Sequence, residues 1–327
     1  MYFVGILIVC GLMMIIQSCD DDEDEDLIGN WVELSEFEGY ARSDAVGFTI
    51  NNTAYITTGY NGDGRLTDLW EYNSEEDVWT QKADFPGAPR NAAVAFGTSS
   101  KGYIGTGYDG DSKLSDFWEY DPVLDSWSQI ADFPGTARYG AIAFAIGDKG
   151  YVGSGYDGSY LKDFWEYDSG TGEWTKKTSI GGSKRKDAVS FVIDGMGYVC
   201  TGISSGSYET DFLMYDPSLD KWTKKRAIAN ATDEDFDDEY STLTGKSGVA
   251  FTIGHRGYLI TESNNVWEYD PVADLWEQKT SLEGSTRTEA IGFTVNDIGY
   301  VVTGRSGSSY FEDVWTLYPD DEYDEYD

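Results

Sequence analysis

Apolar and polar positions alternate along most of the chain in short runs, broken by Gly, Asn, Asp and Ser, and no stretch after residue 30 keeps a helical period. Such a pattern predicts many short strands with one buried face. The runs come in fours. In one unit, strand a is Ala93–Phe96, strand b Gly102–Gly107, strand c Asp116–Tyr120, and strand d begins at Ser126-Trp127. The a strands read Ala-Val-Ala-Phe, Ala-Ile-Ala-Phe and Ala-Val-Ser-Phe in successive units, small residues alternating with apolar ones as a tightly packed inner strand requires.

The four-strand unit repeats. Lys101-Gly102-Tyr103-Ile104-Gly105-Thr106-Gly107-Tyr108 returns as Lys149-Gly150-Tyr151-Val152-Gly153-Ser154-Gly155-Tyr156, and Asp116-Phe117-Trp118-Glu119-Tyr120-Asp121 returns as Asp163-Phe164-Trp165-Glu166-Tyr167-Asp168. The tryptophans of strands c and d stand nine apart in Trp70/Trp79, Trp118/Trp127, Trp165/Trp174 and Trp267/Trp276, with Leu213 replacing the first before Trp222. Eleven residues after the strand-d tryptophan comes arginine: Trp79 to Arg90, Trp127 to Arg138, Trp174 to Arg185, Trp276 to Arg287.

The sixth unit reaches strand c at Trp315 and then runs into the acidic tail, so it lacks strand d. Asn30-Trp31-Val32-Glu33-Leu34 followed by Arg42 has the same eleven-residue step and matches Ser126–Arg138 without a gap. The N-terminal strand is therefore expected to complete the last unit. The fold class read from these spacings is all-β, a closed ring of six four-stranded blades, which leaves no open radial end. Two units depart from the pattern. Between Trp222 and Lys246 the step is 24, read as a thirteen-residue insertion, and in the fifth unit Ile260–Asn265 leads directly to Val266-Trp267.

Composition narrows function mainly by exclusion. A formal net charge of −36 argues against a nucleic-acid partner, whose phosphates need a basic face. The acids cluster in Asp20–Asp26, Asp233–Glu239 and Asp320–Asp327, runs expected to remain solvated, without the ordered Asp/Gly spacing of a calcium loop. Basic residues concentrate at Lys176, Lys177, Lys184, Arg185, Lys186, Lys224, Lys225 and Arg226, and the acidic insertion that follows is expected to pair with them. Cys10, Cys19 and Cys200 offer no intrachain disulfide, so stability must come from the core.

Tyr2–Ile16 is almost wholly apolar and too short to span a bilayer comfortably. It ends in Ile16-Gln17-Ser18-Cys19, which resembles the bacterial lipobox; that resemblance implies lipidation at Cys19. No Lys or Arg precedes the apolar core. The acidic tract after Cys19 looks like the surface-export signal of Bacteroidetes lipoproteins, which implies an outer-membrane lipoprotein exposed on the cell, with a periplasm-facing placement as the alternative. The expected organisation is a signal peptide over 1–19, an acidic tether over 20–27, the ring over 28–318 and an acidic tail over 319–327.

The Arg, Gly, Tyr and Trp landmarks over about residues 28–318 resemble the Kelch-repeat propellers, including those of galactose oxidase and bacterial N-acetylneuraminate mutarotases. The family's glycine doublet is here Thr58-Gly59 or Ser154-Gly155. Galactose-oxidase-like copper chemistry needs two histidines, and this chain has one, His255, in a turn. That chemistry is excluded, and no cofactor or metal is expected. Cys200, in strand b at the place of Gly105 and Gly153, reads as a structural thiol without a paired base.

In a four-stranded blade the d–a and b–c connections emerge on one face. That face should collect Arg42, Arg90, Arg138, Arg185 and Arg287, with Lys246 at the sixth place, together with Tyr60, Tyr108, Tyr156, Asp63, Asp109, Asp111 and Asp157. Arginine forks grip carboxylates and tyrosines stack on sugar rings, so the set could bind a glycan or a protein partner. A scaffold role competes for the arginines, because a residue repeated in nearly every blade behaves as part of the frame. The aspartates before strand c (Asp68, Asp116, Asp163, Asp211, Asp313) read as structural for the same reason. Specificity is expected where symmetry breaks, at Arg305, Tyr208, Glu262 and the insertion. The leading functional expectation is a surface-anchored, monomeric, non-enzymatic binding module with no catalytic residues. The alternative is a sugar mutarotase or epimerase resembling the neuraminate enzyme.

Overall fold

The computed structural model describes residues 27–324, with the side chains of 239, 241 and 242 left aside. It contains six four-stranded antiparallel sheets arranged as a propeller. Blade 1 comprises Val46–Ile50, Thr53–Thr57, Leu69–Asn73 and Val78–Lys82. Blades 2 to 5 repeat this order from Val94, Ile142, Val189 and Val249. Blade 6 takes its inner three strands from Ile291–Val295, Ile298–Val302 and Val314–Tyr318, and its outer strand is Asn30–Glu33. Trp31 pairs with Leu317 in that sheet and is fully buried, so the ring closes as the spacing predicts. Cys10, Cys19 and Asp20–Asp26 lie outside the described residues, and no described helix is long and apolar enough to cross a membrane.

Blades pack through one recurring contact. At five of the six junctions the strand-a phenylalanine lies over a strand-b glycine of the next blade, and in blade 1 Ala54 holds that place. A Cβ on Gly102 would stand 2.1 Å from the Phe48 ring, and one on Gly150 would stand 2.0 Å from Phe96. The Lys-Gly-Tyr motif is therefore a flat seat for the neighbouring blade's aromatic ring. The same ring is stacked by the strand-b tyrosine of its own blade, Phe96 on Tyr103 at 4.9 Å and Phe191 on Tyr198 at 5.4 Å.

On the outer side, the aspartate two residues before the strand-d tryptophan joins blades. Asp125 accepts from the Tyr120 hydroxyl at 2.8 Å and from the Ala83 amide at 2.9 Å. Asp77, Asp220 and Asp274 repeat the Tyr and amide contacts. The backbone is left-handed at all four, with φ of 45° to 59°. Burial alone would raise the Asp125 pKa, but the Ala83 amide and the Tyr120 hydroxyl hold it below the ordinary value. Blade 3 lacks this joint, because Gly172 stands there.

The inserted segment forms a short 3₁₀ helix, Asp235–Thr242. For the acids whose side chains are described, the expected pairing with the basic cluster is not met, since none of those in 233–238 forms an ion pair; the Glu239 side chain lies outside the described residues. Aromatic burial holds the segment instead. Tyr240 is 1% exposed, its hydroxyl accepts from the Trp276 amide at 2.7 Å and donates to the Trp276 carbonyl at 3.1 Å, and Arg226 stacks over Phe236. Hydrophobic contact outweighs solvent-screened charge attraction at this distance from the core.

Candidate functional site at the channel mouth

The five arginines form a buried layer. Each reaches three places at once. Arg90 donates from Nε to the Ala88 carbonyl at 2.9 Å, from Nη1 to the Thr106 carbonyl at 2.9 Å, and from both Nη groups to Asp116 at 2.8 and 2.7 Å. Its guanidinium lies over Phe85, 4.9 Å from the ring centre, and Asp116 also accepts from the Trp118 indole at 2.7 Å. Arg42–Asp68, Arg138–Asp163, Arg185–Asp211 and Arg287–Asp313 are the equivalents. All five arginines are at most 3% exposed. With every donor group taken by the protein, they are a frame and have no free fork for a ligand. For Asp116 and Asp163, burial would raise the pKa, but the arginine fork and the indole hold both below the ordinary value.

This layer explains the altered glycine doublet. Thr58, Thr106, Ser154, Thr201 and Thr303 take φ of 57° to 65°, an uncommon region for a residue with a Cβ. Each carbonyl is held by the adjacent arginine Nη1, which fixes the strained turn. The following glycine cannot change: a Cβ on Gly59 would stand 2.8 Å from the Ser43 carbonyl oxygen.

Blade 5 corrects one position. Gly202 donates to the Gly245 carbonyl as Gly107 donates to that of Arg138, so Gly245, and not Lys246, stands at the sixth arginine place. The insertion is accordingly one residue shorter than the spacing to Lys246 suggests. The partner aspartate is missing too. Asn264 lies in the short b–c turn and its amide bonds the Leu282 and Gly284 carbonyls. Arginine and aspartate are lost together, as a mutually dependent buried pair should be.

Two residues past each arginine, the chain reaches the channel. Asp44, Ala92, Gly140, Asp187 and Glu289, with Ser247 in blade 5, close a ring of six backbone hydrogen bonds of 2.9 to 3.0 Å, each amide donating to the carbonyl of the preceding blade. All six have positive φ, between 50° and 61°. The backbone at the mouth is thus fixed by symmetry while its side chains vary. Below the ring the channel is lined by small and apolar residues at the start of each strand a and just before it, such as Ala45, Val94 and Gly248.

Above the ring lies a half-open cavity of about 460 Å³, lined by Asp44, Arg65, Asn91, Tyr108, Tyr139 and Tyr156 among others. An arc of rings borders it, Tyr108 to Tyr139 at 5.8 Å, Tyr139 to Tyr156 at 5.7 Å and Tyr156 to Tyr160 at 5.2 Å. Tyr60 meets Tyr310 at 6.0 Å. Arg65 sits between Tyr60 and Tyr108, its guanidinium carbon 5.6 and 5.1 Å from their ring centres. The Arg65 Nε donates to Asn91 Oδ1 at 2.6 Å, and Asn91 Nδ2 donates to Asp44 at 3.0 Å. Among the described residues the Arg65 Nη groups make no hydrogen bond or ion pair. This arginine, unlike the five in the frame, offers a free fork.

Three carboxylates face the cavity. Glu289 receives a forked pair from Arg305 at 2.5 and 2.8 Å, and Asp187 is 2.8 Å from the Lys186 ammonium. Asp44 has no such cation. Burial, followed by repulsion from Glu289, raises its pKa to about 7. Of the residues expected at the site, Tyr108 and Tyr156 line the cavity, Tyr60 and Arg305 border it, and Arg42, Arg90, Arg138, Arg185 and Arg287 lie in the frame behind it. Asp109 and Asp157 cap their own b–c loops. Tyr208 and Glu262 meet each other across blades 4 and 5 at 2.9 Å, outside the cavity lining. Arg65, Asn91, Asp44, Asp187, Glu289 and Tyr139 are additions. Their signal was available as variation at a fixed step from each repeated arginine or aspartate.

Cys200 is fully buried, and burial pushes its thiol up to about 12, so it is no nucleophile. His255 is an exposed turn residue 2.7 Å from Asp194 on the opposite face.

Fold and site together define a six-bladed β-propeller with a polar, aromatic-rimmed cavity at one channel mouth. No protein-family model matches the chain, and no curated protein matches it. Among solved structures, one titled "Structure of YjhT" aligns with a TM-score of 0.69 and 16% identity, covering 86% of this chain and 95% of that one. The likeness shows a shared propeller fold.

Proposed function

We propose that this protein is a binding module whose channel mouth holds a glycan or a protein partner, with a saccharide favoured by the lining. One observation carries the reading: a half-open cavity in which tyrosine rings surround an arginine with a free fork. Aromatic faces stack on the apolar face of a sugar ring, while the fork and the amide select its oxygens. The lipobox-like Ile16–Cys19 and the acids after it support an anchor at Cys19 and placement on the outer membrane. The protein is read as a monomer with no need of a cofactor.

A second reading, a sugar mutarotase or epimerase, draws support from Arg305, Glu289 and Asp44, which converge at the mouth. A carboxyl group titrating near neutrality is suited to moving a proton between the anomeric hydroxyl and the ring oxygen. A glycan array run beside an anomer-interconversion assay on the full chain separates the two. Binding without turnover retires the enzyme, turnover retires the passive module, and neither sinks the mouth as a ligand site.

A further inference from the structure

We propose that Asp44 is a proton switch that sets the charge of the channel mouth and thereby ties anion binding there to pH. The ligand half of this inference rests on the reading of the mouth as a binding site.

Asp44 cannot move away from its neighbours. Its amide donates to Glu289 and its carbonyl accepts from Ala92, both at 3.0 Å within the closed ring. The groups facing it come from several blades. Glu289 and Arg305 approach from blade 6, Asp187 with Lys186 from blade 4, and Asn91 from the loop into blade 2. Arg65 from blade 1 and Lys113 from blade 2 complete the lining. Each of the other two acids has a cation in direct contact, Glu289 through Arg305 and Asp187 through Lys186. Asp44 has only the neutral amide of Asn91, at 3.0 Å. The channel beneath offers small apolar side chains. A second negative charge beside Glu289, over an apolar channel and with no cation of its own, is the form this geometry disfavours. The rise to about 7 agrees with that geometry.

The consequence has a definite sign. The folded protein holds a proton on Asp44 between the ordinary value of 3.8 and about 7, where the unfolded chain has released it. Stability from this group is therefore complete below pH 4 and is lost as pH rises towards 7. Above that, the mouth gains one negative charge facing Arg65, and an incoming anion meets it. Below it, Arg65 acts unopposed. Affinity for an anion should fall by up to tenfold for each pH unit above the midpoint.

Asp44→Asn is the direct test, because asparagine tolerates the left-handed backbone at φ 50° and keeps the amide contact. Without ligand, the Asp44 carboxyl carbon should titrate near neutrality by NMR. Melting temperatures of wild type and Asp44→Asn should agree at pH 4 and separate by pH 8, with the variant higher. Asp187→Asn, which removes an acid paired with Lys186, should not raise the melting temperature at pH 8. With glucuronate as the anionic probe and glucose as the neutral one, calorimetry from pH 6 to 8.5 should show affinity falling for glucuronate alone, and Asp44→Asn should flatten that slope. A carboxyl midpoint near 4, or an unchanged slope in the variant, overturns the proposal. Failure of both sugars to bind, with the ligand-free titration intact, sinks the mouth as a saccharide site and leaves the proton switch standing.

Discussion

Arg90 and Arg65 are both arginines on the same face of the propeller, yet they do opposite things. Arg90 is fully buried, all three of its guanidinium nitrogens donate to two carbonyls and a carboxylate, and the same arrangement occurs in five blades. Arg65 occurs once, is half-buried between two tyrosines, and keeps both Nη groups free. The difference lies in neighbours and not in residue type. A charge repeated around a ring must be satisfied within each blade. A charge that appears once has no such obligation and can face a ligand.

The largest expected effect tests that contrast on stability. Arg90→Ala should cost about 3 to 5 kcal/mol in urea unfolding, because Asp116 and the Thr106 carbonyl lose their partner inside the frame. Arg65→Ala should cost about 1 kcal/mol, the worth of its stacking contacts. Saccharide binding should drop in the second variant at unchanged fold. If Arg65→Ala unfolds the protein as readily as Arg90→Ala, the division into frame and mouth is wrong.

The insertion sharpens the comparison, since it occurs in the one blade without a frame arginine. Tyr240→Phe should destabilise by about 1 to 2 kcal/mol, leaving the buried Trp276 amide without its acceptor. Changing Asp233, Glu234 and Asp235 to their amides should alter stability by less than about 0.5 kcal/mol, since all three are exposed. Equal losses in both variants, measured by thermal unfolding, would restore charge as the anchor.

The smallest expected effect is a gain. Gly172→Asp would give blade 3 the joint its neighbours have, offering Tyr167 and the loop at Ala131 what Asp125 gives Tyr120 and Ala83. The backbone already has φ 72°, which aspartate tolerates. Stability should rise by about 0.5 to 1 kcal/mol at neutral pH, and the gain should vanish below the ordinary carboxylate range as the new side chain is protonated. A loss at pH 7 would mean that the joint depends on more than this one acceptor.

Much of the frame was legible in advance. The eleven-residue step from tryptophan to arginine located the blades, and Trp31 showed where the ring closes, because both residues are fixed by packing within one repeating unit. The same regularity drew attention to the wrong arginines. Arg42, Arg90, Arg138, Arg185 and Arg287 stand out by repetition, whereas Arg65, Asn91 and Asp44 occupy positions whose residue type varies from blade to blade, and they come from three separate connections. Counting along the repeat points to Lys246 at the sixth arginine position, whereas the hydrogen bond from Gly202 to Gly245 shows the true alignment.

The sequence by itself determined the blade count, the strand order and the velcro of the N-terminal strand, since these follow from local alternation and from spacings that every blade must obey. Only the tertiary structure decided which charges are spent and which are free. That depends on how side chains far apart in the chain meet around the channel, where a fixed ring of backbone bonds holds unlike side chains together.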